Sequence, residues 1–310
     1  MNVPRQVRLQ RRVVDGVLLL DKPIGLSSNA ALQAARRLLN ALKAGHTGTL
    51  DPMATGLLPL TFGEATKFSQ MLLDADKTYE ATVRLGIETD SGDAEGAIIA
   101  ESSAAVSTEA VACAIARFTG EIEQIPPMYS ALKRDSRPLY EYARAGIELE
   151  RAPRRVFIHS LEVLEFAGDS FRIRVDCSKG TYIRTLAIDL GRVLGCGAHL
   201  SALRRTRIGA FDVADAVSLE ALDALPAERR DAALAPPDAL VAHFPRVALD
   251  PAQSQALLQG RNLSMPVAGL AGFVRVYGGG RFLGLAEWDT DGKLLPRRLI
   301  STATTAQQQG

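Results

Sequence analysis

The chain has 310 residues, 47% hydrophobic and 23% charged, which suits a globular protein with room for two domains. Its 36 basic and 35 acidic side chains nearly cancel, so global charge does not announce a polyanion partner. No apolar run approaches the roughly 20 residues of a membrane span, and the basic N-terminus lacks the apolar core of a signal peptide. Cys113, Cys177 and Cys196 are odd in number and far apart, which argues for a reducing compartment. The four histidines show no metal-ligand spacing. A cytoplasmic protein is expected.

In chain order, residues 1–13 form a basic arm with Arg5, Arg8, Arg11 and Arg12 and no acid before Asp15. Gly16 to Leu20 is a short apolar run, read as a buried strand. It ends in the turn chemistry of Asp21-Lys22-Pro23-Ile24-Gly25. Ser27 or Ser28 can cap the next helix. Leu32, Ala35, Leu39 and Leu42 share one face of it, and Gly45 suits the position just past its end. The polar, glycine-punctuated stretch from Gly45 to Pro59 carries a single acid, Asp51. The Pro52 ring pushes Asp51 to extended backbone angles. One carboxylate thus stands on a stiff, exposed turn beside His46 and threonines. A carboxylate so placed can equally do no more than bond its own backbone.

Residues 64–74 read as a helix with Phe68, Met71 and Leu72 inward. Tyr79 to Leu85 alternates like a strand, with Tyr79, Ala81, Val83 and Leu85 on one face. Residues 89–96 make an acidic turn without the ligand spacing of a calcium loop. A helix is predicted over 107–118. Residues 125–155 form an exposed insertion that mixes prolines, tyrosines and basic groups, with a short helix from about 138 to 145. From 133 to 155 it carries seven basic and four acidic side chains, including Lys133, Arg134 and Arg137. Interleaved aromatic and basic residues fit nucleic acid; a plain surface hairpin of helices is the alternative.

Two strands follow, over 156–166 and 171–177. Ser178 to Thr185 is a strand-to-helix turn that puts Tyr182 and Arg184 in the first helical turn. The helix dipole prefers acids there, so a carboxylate partner would explain Arg184; a surface arginine is the alternative. Arg204, Arg205 and Arg207 form a basic cluster that fits a polyanion footprint. Residues 215–246 read as a linking helix and a boundary. Asp250-Pro251 starts a helix that Gly260 ends. A hairpin around Gly278-Gly279-Gly280 and a turn at Asp291-Gly292 complete a small β-rich domain, and residues 302–310 are expected to fray.

No glycine-rich phosphate loop or nucleotide fingerprint is present. Several motifs instead resemble, in order, the TruB family of tRNA pseudouridine-55 synthases. These are Leu18-Leu19-Leu20-Asp21-Lys22-Pro23-Ile24-Gly25, the run from Gly45 to Gly56, Lys77-Thr78-Tyr79, Gly180-Thr181-Tyr182-Ile183-Arg184-Thr185, and Pro296-Arg297-Arg298-Leu299. The resemblance covers roughly residues 14–302. It implies an α/β fold, with a catalytic domain around a mixed sheet over 14–245 and a PUA-like RNA-binding domain over 246–310.

The resemblance implies isomerisation of uridine to pseudouridine in the T arm of tRNA by base flipping, with no cofactor and no metal. Asp51 would be the catalytic carboxylate, either attacking the nucleotide or taking a ribose proton. Arg184 would pair with it. Tyr79 would stack on the uracil, which needs the ring and not the hydroxyl, so Phe should serve at that position. Tyr182 would flank C5. His46 would fill the space the base vacates, and Lys22, Lys67 and Leu203 would support the site and the RNA. The 125–155 insertion would be a thumb that pins the T loop through Lys133, Arg134 and Arg137, with the PUA-like domain at the acceptor end. A monomer without an obligatory protein partner or membrane contact is expected. The competing readings are a guide-RNA-dependent relative, which the long insertion argues against, a non-catalytic RNA-binding protein, and a glycosidase. The last would need a second catalytic acid, for which Asp93 is the nearby candidate.

Overall fold

The computed structural model describes residues 10–265 and 272–301. Arg5 and Arg8 of the expected arm, and the expected frayed end over 302–310, lie outside the described residues. Of the rest of the arm, Arg12 is not loose: its guanidinium donates to both carboxylate oxygens of Asp231, at 2.6 and 2.5 Å.

Seven strands run across one sheet in the order Gly16–Lys22, Thr55–Phe62, Ala198–Ile208, Lys77–Leu85, Ser170–Cys177, Arg154–Phe166 and Gly120–Gln124, and two short strands, Ala44–His46 and Phe211–Asp212, pair on beside them. The Thr55–Phe62 and Ala198–Ile208 pair is parallel and the other pairs of this path are antiparallel. That makes the mixed α/β sheet that the resemblance implies. Alternation is clean in Ser170–Cys177, where Phe171, Ile173, Val175 and Cys177 are buried and Arg172 and Arg174 are exposed. Thr55–Phe62 is buried along nearly its whole length, as its unbroken apolar run requires. The helices Ser28–Leu38, Thr108–Ala116 and Ile183–Leu194 pack their buried residues into one core on one face of the sheet.

A second sheet of five strands lies at the C-terminal end. Asp250 caps the helix Pro251–Leu258 with a reciprocal bond to Gln253, a motif worth about 1 kcal/mol. This sheet joins the first through Leu285, Phe273 and Phe282, which pack against Val17, Leu57 and Phe68.

Four local expectations need correction. The first helix stops at Leu38 and Asn40 turns left-handed at φ 49°, so Leu42 falls off the helical face and is exposed. Gly45 is not the residue past a helix end; it lies in the Ala44–His46 strand and pairs with Thr61. The 64–74 helix divides into a 3-10 segment, Gly63–Phe68, and a short α-helix, Ser69–Leu73. Residues 215–246 are not a linking helix. They form a six-residue α-helix, Leu219–Ala224, and two 3-10 segments, Ala227–Ala233 and Pro237–Val241, that cover the edge of the sheet: Ala235 bridges Val17, and Leu222 enters the core. No helix among the described residues is long and apolar enough to cross a membrane.

Candidate active site

The Asp51 loop is held from three sides. Ser27 caps the first helix, which frees Ser28 to clamp the loop: its hydroxyl donates to the Leu50 carbonyl at 3.0 Å and accepts from the Leu50 amide at 2.7 Å. The Gly25 amide donates to the Pro52 carbonyl at 2.8 Å. Lys22 is fully buried, and its ammonium donates to the carbonyls of Pro23, Leu26 and Pro52, the last at 3.4 Å. Desolvation brings the Lys22 pKa down to about 8, with Asp51 opposing the shift. Lys22 therefore ties the turn after the first strand to the loop, and at 0% exposure it has no surface for RNA.

Asp51 does not bond its own backbone through its carboxylate. It faces Arg184, whose Nε lies 2.9 Å from its Oδ2. Arg184 is buried at the start of the Ile183–Leu194 helix, where Tyr182 is the cap. Its Nη1 donates to Ser91 O at 3.1 Å and its Nη2 to Tyr129 O at 2.5 Å. Its Nε also stands 3.5 Å from the carboxylate of Asp93. One arginine thus joins the Asp51 loop, the 89–96 turn and the root of the insertion. Asp93 is buried and accepts from Ser91 Oγ and the Glu95 amide. It serves Arg184 and offers no surface as a second substrate acid, which removes the geometry a glycosidase needs.

Burial of the loop pushes the Asp51 carboxyl above its ordinary range. Arg184, by charge and hydrogen bond, and Lys22 pull it back, while Asp93 adds to the upward push. A third of the Asp51 side chain remains open to solvent, so a substrate can reach it.

Tyr79 is half-buried on the Lys77–Leu85 strand, and burial raises its phenol. Tyr182 is fixed through its backbone, which exchanges two hydrogen bonds with the side-chain amide of Gln124 at 3.0 and 3.2 Å. His46 is half-buried in the Ala44–His46 strand and its Nδ1 has no partner; burial lowers its pKa, which keeps the ring neutral. Leu203 lines a cleft of about 420 Å³ with Met53 and Thr55 from the end of the Asp51 loop.

Other expected site residues lie elsewhere. Lys67 sits at the junction of the two sheets: its ammonium donates to Glu64 at 2.7 Å and to the Leu299 carbonyl at 2.9 Å. Lys133, Arg134 and Arg137 are exposed on a small hairpin whose turn, Asp135-Ser136, is left-handed at both positions. Arg137 pairs with Glu141 at 2.9 Å and lies over the Tyr142 ring. The arginine cluster does not form one polyanion patch. Arg204 pairs with Asp21 at 2.8 Å, Arg207 lies near Asp212, and Arg205 is 2% exposed beneath the sheet surface. Successive strand residues point to opposite faces, and that signal alone separates Arg204 from Arg205. Among the described residues, no three His, Cys, Asp or Glu side chains gather as a metal site.

The fold superposes on the solved structure of a Cbf5–Nop10–Gar1 complex with a TM-score of 0.67 and 31% identity, covering 88% of this chain and 78% of that one. It also matches the structure of an H/ACA RNP bound to a substrate RNA containing 2'-deoxyuridine, with a TM-score of 0.69 and 27% identity over 92% and 85% of the two chains. The chain shares the fold of these structures.

Three family models narrow this. They describe the TruB family pseudouridylate synthase N-terminal domain over residues 36–183, the tRNA pseudouridylate synthase B C-terminal domain over 184–242, and the pseudouridine synthase II TruB C-terminal region over 245–300. A curated relative from Aromatoleum aromaticum, tRNA pseudouridine synthase B, is 71% identical over 99% of this chain and 100% of its own length. One of the same name from Azoarcus sp. is 67% identical over 96% and 99%. The chain belongs to the TruB family.

Proposed function

We propose that the chain converts uridine to pseudouridine at position 55 in the T arm of tRNA. The observation that carries this reading is the Asp51–Arg184 pair, set in a chain that matches tRNA pseudouridine synthase B of Aromatoleum aromaticum from end to end. The target uridine leaves its stack, at a cost of a few kcal/mol. Tyr79 stacks on the flipped base and returns about 1–3 kcal/mol. Asp51, as carboxylate, attacks the nucleotide or takes a ribose proton; the N1–C1′ glycosidic bond breaks, the uracil turns, C5 bonds to C1′, and C5 then gives up its proton while N1 gains one. Tyr182 flanks C5, and His46, neutral, fills the space left by the base. No atom is gained or lost, so the isomerisation balances without a cofactor.

The chain acts as a monomer in the cytoplasm without an obligatory protein partner, and its three free cysteines suit that compartment. Residues 14–245 form the catalytic domain, and residues 246–310 touch the acceptor end as a PUA-like domain. The test is pseudouridine mapping on an unmodified tRNA transcript with the purified chain alone. One pseudouridine at position 55 is expected; none, or one elsewhere, overturns the assignment.

The insertion supplies part of the RNA grip. Lys133, Arg134 and Arg137 are exposed, and a surface pair such as Arg137–Glu141 is worth only about 0–1 kcal/mol and exchanges readily for phosphate. Replacing all three by alanine should flatten the slope of log affinity against log salt by about two units. The chemical step at saturating RNA should barely change. Filter binding across a salt series checks this, and overlaid lines for variant and wild type would remove the thumb from recognition.

A further inference from the structure

Gln124 is a buried polar side chain to which the reaction above assigns no work. It is 2% exposed, at the last position of the Gly120–Gln124 strand, where the insertion leaves the sheet. Its cross-strand partner is Arg154, where the chain re-enters the sheet. Gln124 thus stands at the root of the insertion. Its side-chain amide reaches Tyr182, 58 residues further on. Nε2 donates to the Tyr182 carbonyl at 3.2 Å, and Oε1 accepts from the Tyr182 amide at 3.0 Å.

The start of the Ile183–Leu194 helix explains why this clasp is needed. Tyr182 is the cap residue, yet its side chain caps nothing. A helix start can close itself with a Glu or Gln three residues after the cap, which reaches back to the cap amide. Thr185 holds that position here, and its hydroxyl donates instead to the Ile125 carbonyl at 3.4 Å. The acceptor for the Tyr182 amide therefore comes from another element. Arg184 completes the set by donating to the Tyr129 carbonyl. Three residues at the helix start are thus tied to three at the root of the insertion. Of these ties, Gln124 alone supplies a side chain; the other two use main-chain carbonyls that no substitution there removes. Bonds to both main-chain polar groups of Tyr182 hold its backbone at φ −103° and ψ 108°, and with it the direction of the bond that carries the ring.

We propose that Gln124 is a positioning residue for the isomerisation: it sets the Tyr182 backbone, and so the direction of the Tyr182 ring, against the Arg184–Asp51 pair that begins two residues further on. The assignment rests on the pseudouridine synthase reading above. It makes the root of the insertion part of the catalytic frame, while the tip grips RNA.

The test is single-turnover pseudouridine formation at saturating tRNA transcript, with filter binding in parallel, for wild type, Gln124→Met, Tyr182→Leu and the double variant. Gln124→Met keeps the length of the side chain and loses both bonds. It should slow the chemical step by about tenfold or more, the size of two neutral hydrogen bonds. Affinity for tRNA should stay within about threefold, because Gln124 is buried and offers RNA no contact. The double variant should be little slower than Tyr182→Leu alone, because the ring that Gln124 places is already gone.

A saturated rate equal to wild type in Gln124→Met overturns the proposal. So does a loss confined to affinity, or an effect that multiplies with that of Tyr182→Leu. If Tyr182→Leu forms no measurable product, the split between rate and affinity in Gln124→Met decides alone. If Gln124→Met does not fold, Gln124→Glu takes its place, since it keeps the length and the acceptor for the Tyr182 amide but loses the donor; a wild-type rate in that variant overturns the proposal equally. A wild-type chain that forms no pseudouridine overturns the underlying function as well, and that outcome is distinct from a failure of the variants alone.

Discussion

Asp51→Asn is expected to abolish pseudouridine formation while leaving the protein folded and able to hold tRNA. The substitution keeps shape and loses charge. Arg184 does not become an orphan, because Asp93 remains 3.5 Å from its Nε, and Ser91 and Tyr129 keep its other donors. The loop keeps its anchors in Ser28, Gly25 and Lys22. Single-turnover rates should fall by at least about 10⁴-fold, the upper range for one proton-transfer or nucleophilic group. Affinity should change by less than about tenfold, or ~1.4 kcal/mol. Turnover near wild type would remove Asp51 from the chemistry.

The same carboxyl sets the pH profile. Its pKa is raised in the folded protein, chiefly by burial. A raised carboxyl holds its proton to higher pH, so the ionised form is lost earlier as pH falls. The acid limb of the single-turnover rate should lie above the ordinary aspartate value of about 3.9. An acid limb at or below that value would show that the Arg184 pair outweighs burial.

The parts of this site visible in the sequence are those whose chemistry is local. The residues alone mark a carboxylate on a stiff turn and an arginine at a helix start, and leave a self-bonded turn and a surface arginine open; the family resemblance is what pairs them. Register is where linear inspection fails. Arg204, Arg205 and Arg207 look like one basic patch, yet Arg204 reaches Asp21 while Arg205 turns inward to Leu57 and Thr49. The family resemblance implies that Lys22 and Lys67 support the site and contact RNA. Only tertiary packing shows that Lys22 is buried among three carbonyls and that Lys67 joins Glu64 to Leu299. Asp93 sits in an acidic turn that resembles plain solvated surface. Its value comes from Arg184, 91 residues further on, and nothing in its neighbourhood announces that. The helical pattern of Leu32, Ala35 and Leu39 holds, and it fails at Leu42 because the left-handed Asn40 has already ended the helix.

Arg184→Lys is the second large effect to expect. A guanidinium meets the Asp51 carboxylate, the Asp93 carboxylate and the carbonyls of Ser91 and Tyr129 from one plane. An ammonium keeps the charge on a compact point and cannot span those directions. Two charge-assisted hydrogen bonds at about 1.5–3 kcal/mol each are at stake, a rate factor of about 10²–10⁴ if both are expressed in the transition state. Binding should change little, because Arg184 is buried behind Asp51 and presents no surface to RNA. The loss should therefore fall on the chemical step and spare the dissociation constant. Arg184→Lys should also move the acid limb of the rate to higher pH, since Arg184 pulls the Asp51 carboxyl down against burial. Single-turnover rates across a pH series, with filter binding in parallel, separate the two effects. A variant that matches wild type in rate and in acid limb would show that Asp51 works without this arginine.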